Sequence, residues 1–365
     1  MYYVLIFLWI GICALLSKSI VHKRSETISG VEVERYSVLF AVVLIMPLVI
    51  FAGFRTKAFG DTAAYIQSYN NLPTDFSELQ NKLSSNHKDV GFVVLSFVLK
   101  NFFGDSVKFY LLTISFIQGI LLSLFFRKYS INVIFSVFLF VASADYIAWM
   151  FNGVRQFMAV TIIIAATPFL IRKKYVPYIL VVLLAATMHQ SALLVIPIAF
   201  IVQGKVWNKK TIFFVALVLL SIVFLNEFTT LLSDSLQNTQ YANVVNDYKA
   251  ISDDGTNPLR VIFYSLPTIV SFFARKTINQ ENDKIINICV NMSIVSSALY
   301  LISMFTSGIY IGRLPIYFSL FNYILIPWEI KYLVSDKYRN LVTIAVIVIY
   351  LLYFYYQMHF SWNII

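Results

Sequence analysis

Three arginines, Arg55, Arg155 and Arg313, two aspartates, Asp61 and Asp89, and one histidine, His189, are the residues with the means to do chemistry in a mostly apolar chain. A guanidinium grips a diphosphate in a planar fork and never loses its charge. A carboxylate or an imidazole can take the proton of a hydroxyl as that hydroxyl attacks. Together these types describe transfer from a lipid diphosphate to a hydroxyl acceptor. Asp61 follows Arg55 by six residues, behind Gly60, whose backbone turns freely. Tyr65 is at i+4 from Asp61, so a helix starting near Asp61 puts both on one face.

The others arrive in short clusters: Asp89-Val90-Gly91-Phe92, Asn152-Gly153-Val154-Arg155-Gln156, His189 with Ser191, and Gly312-Arg313-Leu314-Pro315. Each has a plainer use. Asp61 and Asp89 both fit the N-cap of a following helix. Arg155 fits a span end whose charge snorkels to the interface, His189 a buried hydrogen-bonded histidine, and Arg313 a helix-end anchor. Against that, Arg155 and His189 fall close to membrane depth, where ionisable groups are costly and signal function. As proton acceptor, His189 matches neutral pH with an ordinary pKa of about 6.5, and Asp61 is expected to stay ionised beside Arg55. These two rank together, one as base and the other orienting the acceptor with Tyr65, Asn152, Gln156 and Ser191. Asp89, already occupied as a cap, ranks third. The arginines are the diphosphate contacts.

The chain is 59% hydrophobic and 13% charged, against about a quarter charged in soluble proteins. This is an all-α polytopic membrane protein, one integral domain over residues 1–365. The formal charge of +10 is a topology signal and points to no nucleic acid. The two cysteines, Cys13 and Cys289, both in apolar runs, form no metal site or disulfide framework, and no cofactor is expected. Apolar runs long or nearly long enough to cross a bilayer are Tyr2 to Leu16, Ser37 to Gly53, Phe109 to Phe126, Asn132 to Met150, Phe157 to Ile171, Thr211 to Phe228, Leu259 to Ala274, Ile285 to Phe305, Ile316 to Val334 and Leu341 to Met358. Val90 to Phe103 is too short and reads as a re-entrant or interfacial helix packed on protein. Tyr175 to Gln203 reads as two short helices meeting near His189. Basic loops at Lys18 to Arg35, Arg127-Lys128, Arg172 to Lys174, Lys205 to Lys210, Arg275 to Lys284 and Lys337 to Arg339 belong on the cytoplasmic side. Phe54 to Asp89, Trp149 to Gln156, the His189 turn, Asn226 to Pro258 and Thr306 to Pro315 then face outward, with about twelve transmembrane helices in all.

The ordered set Arg55-x5-Asp61-x3-Tyr65, Asp89-x-Gly91-Phe92, Arg155-Gln156 with Ala159, His189-x-Ser191-Ala192 and Arg313 resembles the EpsG family, which belongs with the Wzy-type polysaccharide polymerases. It departs from the family pattern at Asp89, where Glu is usual. The resemblance implies a GT-C-like fold in a bacterial inner or cytoplasmic membrane, with the site on the outer, periplasmic face. It implies a polymerase for O-antigen, capsule or exopolysaccharide, moving a growing glycan from a polyprenyl diphosphate carrier to a lipid-linked repeat unit. The implied partners are those donor and acceptor lipids, the bilayer and a chain-length regulator. Two other functions fit a polytopic chain. A lipid-oligosaccharide flippase should show two pseudo-symmetric halves, and none is visible. A membrane O-acyltransferase calls for an early His beside an Arg, and the only early His, His22, lies in a basic loop.

Overall fold

A long apolar run satisfies its backbone polar groups in lipid within itself as an α-helix, and the computed structural model follows that rule. It describes residues 2–19, 24–28, 31–85, 88–225 and 255–364, with 18–19, 24–28, 31–34 and 85 described by their backbone alone. The regular elements among the described residues are helices apart from one antiparallel hairpin, β1 (Arg24–Ile28) with β2 (Val31–Arg35), paired Arg24 to Arg35 and Ile28 to Val31. The alternation Val31-Glu-Val-Glu-Arg35 is a strand period, two residues per repeat. It lies in the basic loop between the first two apolar runs. The chain forms two compact units, one of residues Met1–Phe169, Lys174–Leu193 and Ile330–Ile365, the other of Leu170–Lys173 and Leu194–Glu329.

In the first unit, α1 (Tyr2–Ser19) is followed by α2 (Val38–Gly53), which Ser37 caps by accepting the Phe40 N–H at 3.1 Å. Two short polar helices, α3 (Thr62–Asn70) and α4 (Phe76–Ser85), lead to α5 (Val90–Phe103) and the 23-residue α6 (Val107–Tyr129). Helices α2 and α6 lie in close contact because glycine permits it: a Cβ on Gly53 would stand 2.6 Å from Leu112 Cδ1, and one on Gly119 would strike Val49. Next come α7 (Val133–Ala142), a π-helix over Ile147–Asn152, α8 (Val154–Ala165), α9 (Thr167–Ile171) and α10 (Tyr175–Met188). A 3-10 turn, Gln190–Leu194, ends the run.

The second unit contains α11 (Val195–Ile201), α12 (Lys209–Val223), α13 (Pro258–Phe273), α14 (Arg275–Glu281) and α15 (Lys284–Phe305). Almost all of α15 is buried, and α13 meets it through hydroxyls, with Thr268 Oγ1 2.7 Å from both Ser293 and Ser297 Oγ. A 3-10 turn Ile311–Arg313, α16 (Ile316–Ser319) and most of α17 (Asn322–Leu333) follow; the end of α17 and α18 (Asp336–Tyr356), which closes the chain with a π-helical end, belong to the first unit.

Among the described residues, three helices are long and apolar enough to cross a bilayer: α6, α15 and α18 with its π-helical extension. The pair α13–α14, bent by 73°, makes a fourth if it is one span. Others, including α2, α5, α8 and α10, are apolar but shorter, so length and composition alone do not mark the twelve crossings expected from the sequence. Polar residues explain part of the difference. The run Asn132 to Met150 is not one helix but breaks at Ser143-Ala144-Asp145, where Ala144 has φ 62° and the Asp145 N–H donates to Ser143 Oγ instead of continuing a helix. Ile316 to Val334 is likewise divided between α16 and α17. Tyr175 to Gln203 does divide at His189, the C-cap of α10. Most of the expected outer loop Asn226 to Pro258, and His22, lie outside the described residues.

Candidate functional site

Asp89 is the junction of the site. It directly precedes α5 with φ 53° and ψ 41°, a left-handed backbone that favours glycine and that Asp adopts more readily than most side chains. Its side chain makes no capping bond, contrary to the cap expected from sequence. The carboxylate turns the other way, into protein, and is 5% exposed. Arg155 Nη1 donates to Oδ2 at 2.7 Å, the Gln190 main-chain N–H donates to the same carboxylate, and His189 Nδ1 stands 4.0 Å from Oδ1. Burial pushes the Asp89 carboxyl above its ordinary range, while Arg155, Lys88 and the Gln190 N–H pull it back.

Each partner is placed by a helix boundary. Arg155 is in the first turn of α8, and its guanidinium lies 6.0 Å from the centre of the Tyr65 ring. His189 is where α10 stops, its backbone extended at φ −158°. The α10–α5 contact brings that stop to Asp89, and Gly91 makes the contact possible: a Cβ there would overlap Thr187 Oγ1 and sit 2.7 Å from Thr187 Cβ. The quoted motif Asp89-x-Gly91 is thus one device, a carboxylate and the close approach that delivers its partner.

Asn152, the last residue of the π-helix, fixes Asp61 and Tyr65 beside Arg155. Its Oδ1 accepts the Asp61 N–H at 2.9 Å, and its main-chain oxygen accepts the Tyr65 hydroxyl at 3.3 Å. Gly60 turns at φ 50° against the same side chain. Asp61 occupies the N-cap position of α3 without a capping bond. Nor does it pair with Arg55 as expected. Arg55 turns into the protein, with Nε donating to Thr62 Oγ1 at 3.0 Å, Nη1 donating to the Ala52 carbonyl, and the guanidinium 5.5 Å from the centre of the Phe151 ring. Desolvation lowers its pKa to about 10. Those bonds tie the end of α2 to the start of α3. Gln156 is buried in α8, Ser191 is half-buried in the 3-10 turn, and Arg313 is half-buried in the second unit.

Asp61, Tyr65, Asp89 and Arg155 line one cavity of about 360 Å³ in the first unit. Of its other residues, sequence reasoning named Phe92, within the Asp89-x-Gly91-Phe92 motif, and missed the rest. Tyr69, Phe92, Ser96 and Tyr110 form a buried side, with Tyr69 stacked on Tyr110 at 4.1 Å and Ser96 Oγ 3.1 Å from the Tyr110 hydroxyl. Lys82 and Lys88 line the exposed side. Nothing in their spacing marks them, since α4 reads as a polar, solvated segment. Among the described residues no three of His, Cys, Asp or Glu gather to hold a metal ion.

The sequence matches the EpsG family over residues 38–363. The chain belongs to that family. EpsG is a Wzy-like polymerase family, so membership supports a polymerase-like role in polysaccharide synthesis, in keeping with the apolar helices of a membrane protein. No curated protein and no solved structure matches the chain. All the cavity residues of this EpsG-family chain lie inside the matched stretch.

Proposed function

We propose that this EpsG-family protein is a repeat-unit polymerase, transferring a growing glycan from a polyprenyl diphosphate to the sugar of a second lipid-linked unit at the outer face of a bacterial inner membrane. The observation that carries the proposal is the buried Asp89 carboxylate in the lining of a sugar-sized cavity, paired with Arg155 and 4.0 Å from His189 Nδ1. In this reading the acceptor hydroxyl oxygen bonds to the donor's anomeric carbon, and the carbon–oxygen bond to the diphosphate breaks. The diphosphate leaves with the electron pair, and the half-exposed face of Arg155 meets its charge. The acceptor's proton goes to His189. Asp89 favours the imidazole tautomer with its proton on Nδ1, which leaves Nε2 as the acceptor. Asp61, whose main-chain N–H Asn152 holds, orients the incoming sugar with Tyr65.

The test is the length distribution of lipid-linked and surface glycan in cells carrying His189→Ala or Asp89→Asn, with protein level checked by immunoblot. The expected result is a single repeat unit that is made and exported but not extended. A normal ladder from both variants would sink the polymerase reading and favour a transporter.

A further inference from the structure

Resting on the polymerase reading, we propose that Lys82 and Lys88 form a second oxyanion subsite of the same cavity, beside the Asp89–Arg155 pair. The cavity has two chemically different sides. The buried side is aromatic and hydroxylated, made of Tyr69, Phe92, Tyr110 and Ser96. Such a surface takes the apolar faces and hydroxyl edges of a sugar ring. The exposed side carries Asp61, Lys82 and Lys88. Arg155 already gives one N–H to Asp89, so its charge is largely balanced before substrate arrives. The lysines supply the cavity's excess positive charge, since three cations line it against two carboxylates. They are also placed. The Lys82 ammonium donates to the Asn71 carbonyl at 3.2 Å, which anchors α4 to the end of α3, and Lys88 is the residue before Asp89. An ammonium held this way has further donors for an oxyanion. The ligand chemistry is an anionic group on the lipid-linked glycan, either its diphosphate or the carboxylate of an acidic sugar.

Full-length protein in neutral-lipid nanodiscs is titrated with geranylgeranyl diphosphate, geranylgeraniol, glucuronate and glucose. The variants are the double Lys82→Gln/Lys88→Gln and the double Lys82→Arg/Lys88→Arg. The Gln pair is expected to weaken an anionic probe by on the order of tenfold or more. The Arg pair should retain most of the affinity, and geranylgeraniol and glucose should be unaffected. Loss confined to the diphosphate identifies the carrier as the source of the anion, and loss confined to glucuronate identifies an acidic sugar. If neither anion binds the parent protein, or the Gln pair weakens neither, the subsite is overturned. Binding does not depend on turnover. A normal glycan ladder from the His189 and Asp89 variants would remove the polymerase reading whether or not the anion affinity falls.

Discussion

A buried carboxylate that works as a junction is a burden on the fold. Burial outweighs the pull of Arg155, so the folded state of Asp89 holds its proton more tightly than the unfolded chain does. The sign follows from linkage. With a raised folded pKa, the group's contribution to stability is fully present below the unfolded value and is lost as pH rises through the folded one. That contribution therefore falls as pH rises, and Asp89→Asn, a mimic of the protonated acid, is expected to melt at the same temperature as the parent or higher at neutral pH. The gap should close towards pH 4, near the ordinary carboxylate pKa. Thermal melts in detergent measure this, and a variant that melts well below the parent at pH 7 contradicts it. The same variant should lose polymer, which separates a functional burden from a structural one. Arg155→Lys is expected to reduce chain extension by a large fraction of the roughly hundredfold that loss of a charged donor costs. It keeps the charge but loses the planar fork that reaches Asp89 and substrate together; full-length polymer at normal protein level would exclude that role. At this scale the sequence offered the residue types, but not their pairing. Asp61 and Arg55 are six residues apart and do not pair, while Asp89, Arg155 and His189 are brought together by tertiary packing.

Elements place these groups through glycine contacts more than through long helices. Helix α5 is short for a span, and its position depends on how closely it can approach α10 at Gly91. Gly91→Ala drives a methyl into Thr187, so the helices must separate. A cost of about 1–3 kcal/mol is expected from such overpacking, together with loss of polymer as His189 moves away from Asp89. Thr187→Gly removes the obstructing side chain, and the double variant should recover part of both losses in thermal melts and in the glycan ladder. If Gly91→Ala is silent in both, the contact does not position the site. The quoted Gly91 was legible as a motif residue, yet its reason lies on a helix almost a hundred positions away. The breaks at His189 and at Ser143-Ala144-Asp145 are a contrast. The first showed as a run too long for one span and too short for two; the second was hidden because Ser and Asp at mid-run look like tolerated polar residues.

Across the whole chain, the apolar composition and the EpsG match point to a membrane protein, and the basic loops carry the expectation of which side each connection faces. Hydropathy does not reveal which apolar runs cross, because short helices packed on protein need not match bilayer thickness. Orientation is therefore the property that labelling must decide. Ser77, in α4, and Lys174, before α10, are both exposed in the structure, so accessibility within the fold does not distinguish them. The two native cysteines, Cys13 and Cys289, are buried and should stay silent. Ser77→Cys is expected to react with a membrane-impermeant thiol reagent in intact cells given access through any outer envelope, and Lys174→Cys only after the membrane is opened. Ser77 is on the α3–α4 segment that carries Asp61 and Lys82, so its labelling reports the side on which the cavity lies. The reverse pattern, with Lys174→Cys reacting in intact cells and Ser77→Cys silent, would place the cavity on the cytoplasmic side and exclude an acceptor delivered to the outer face.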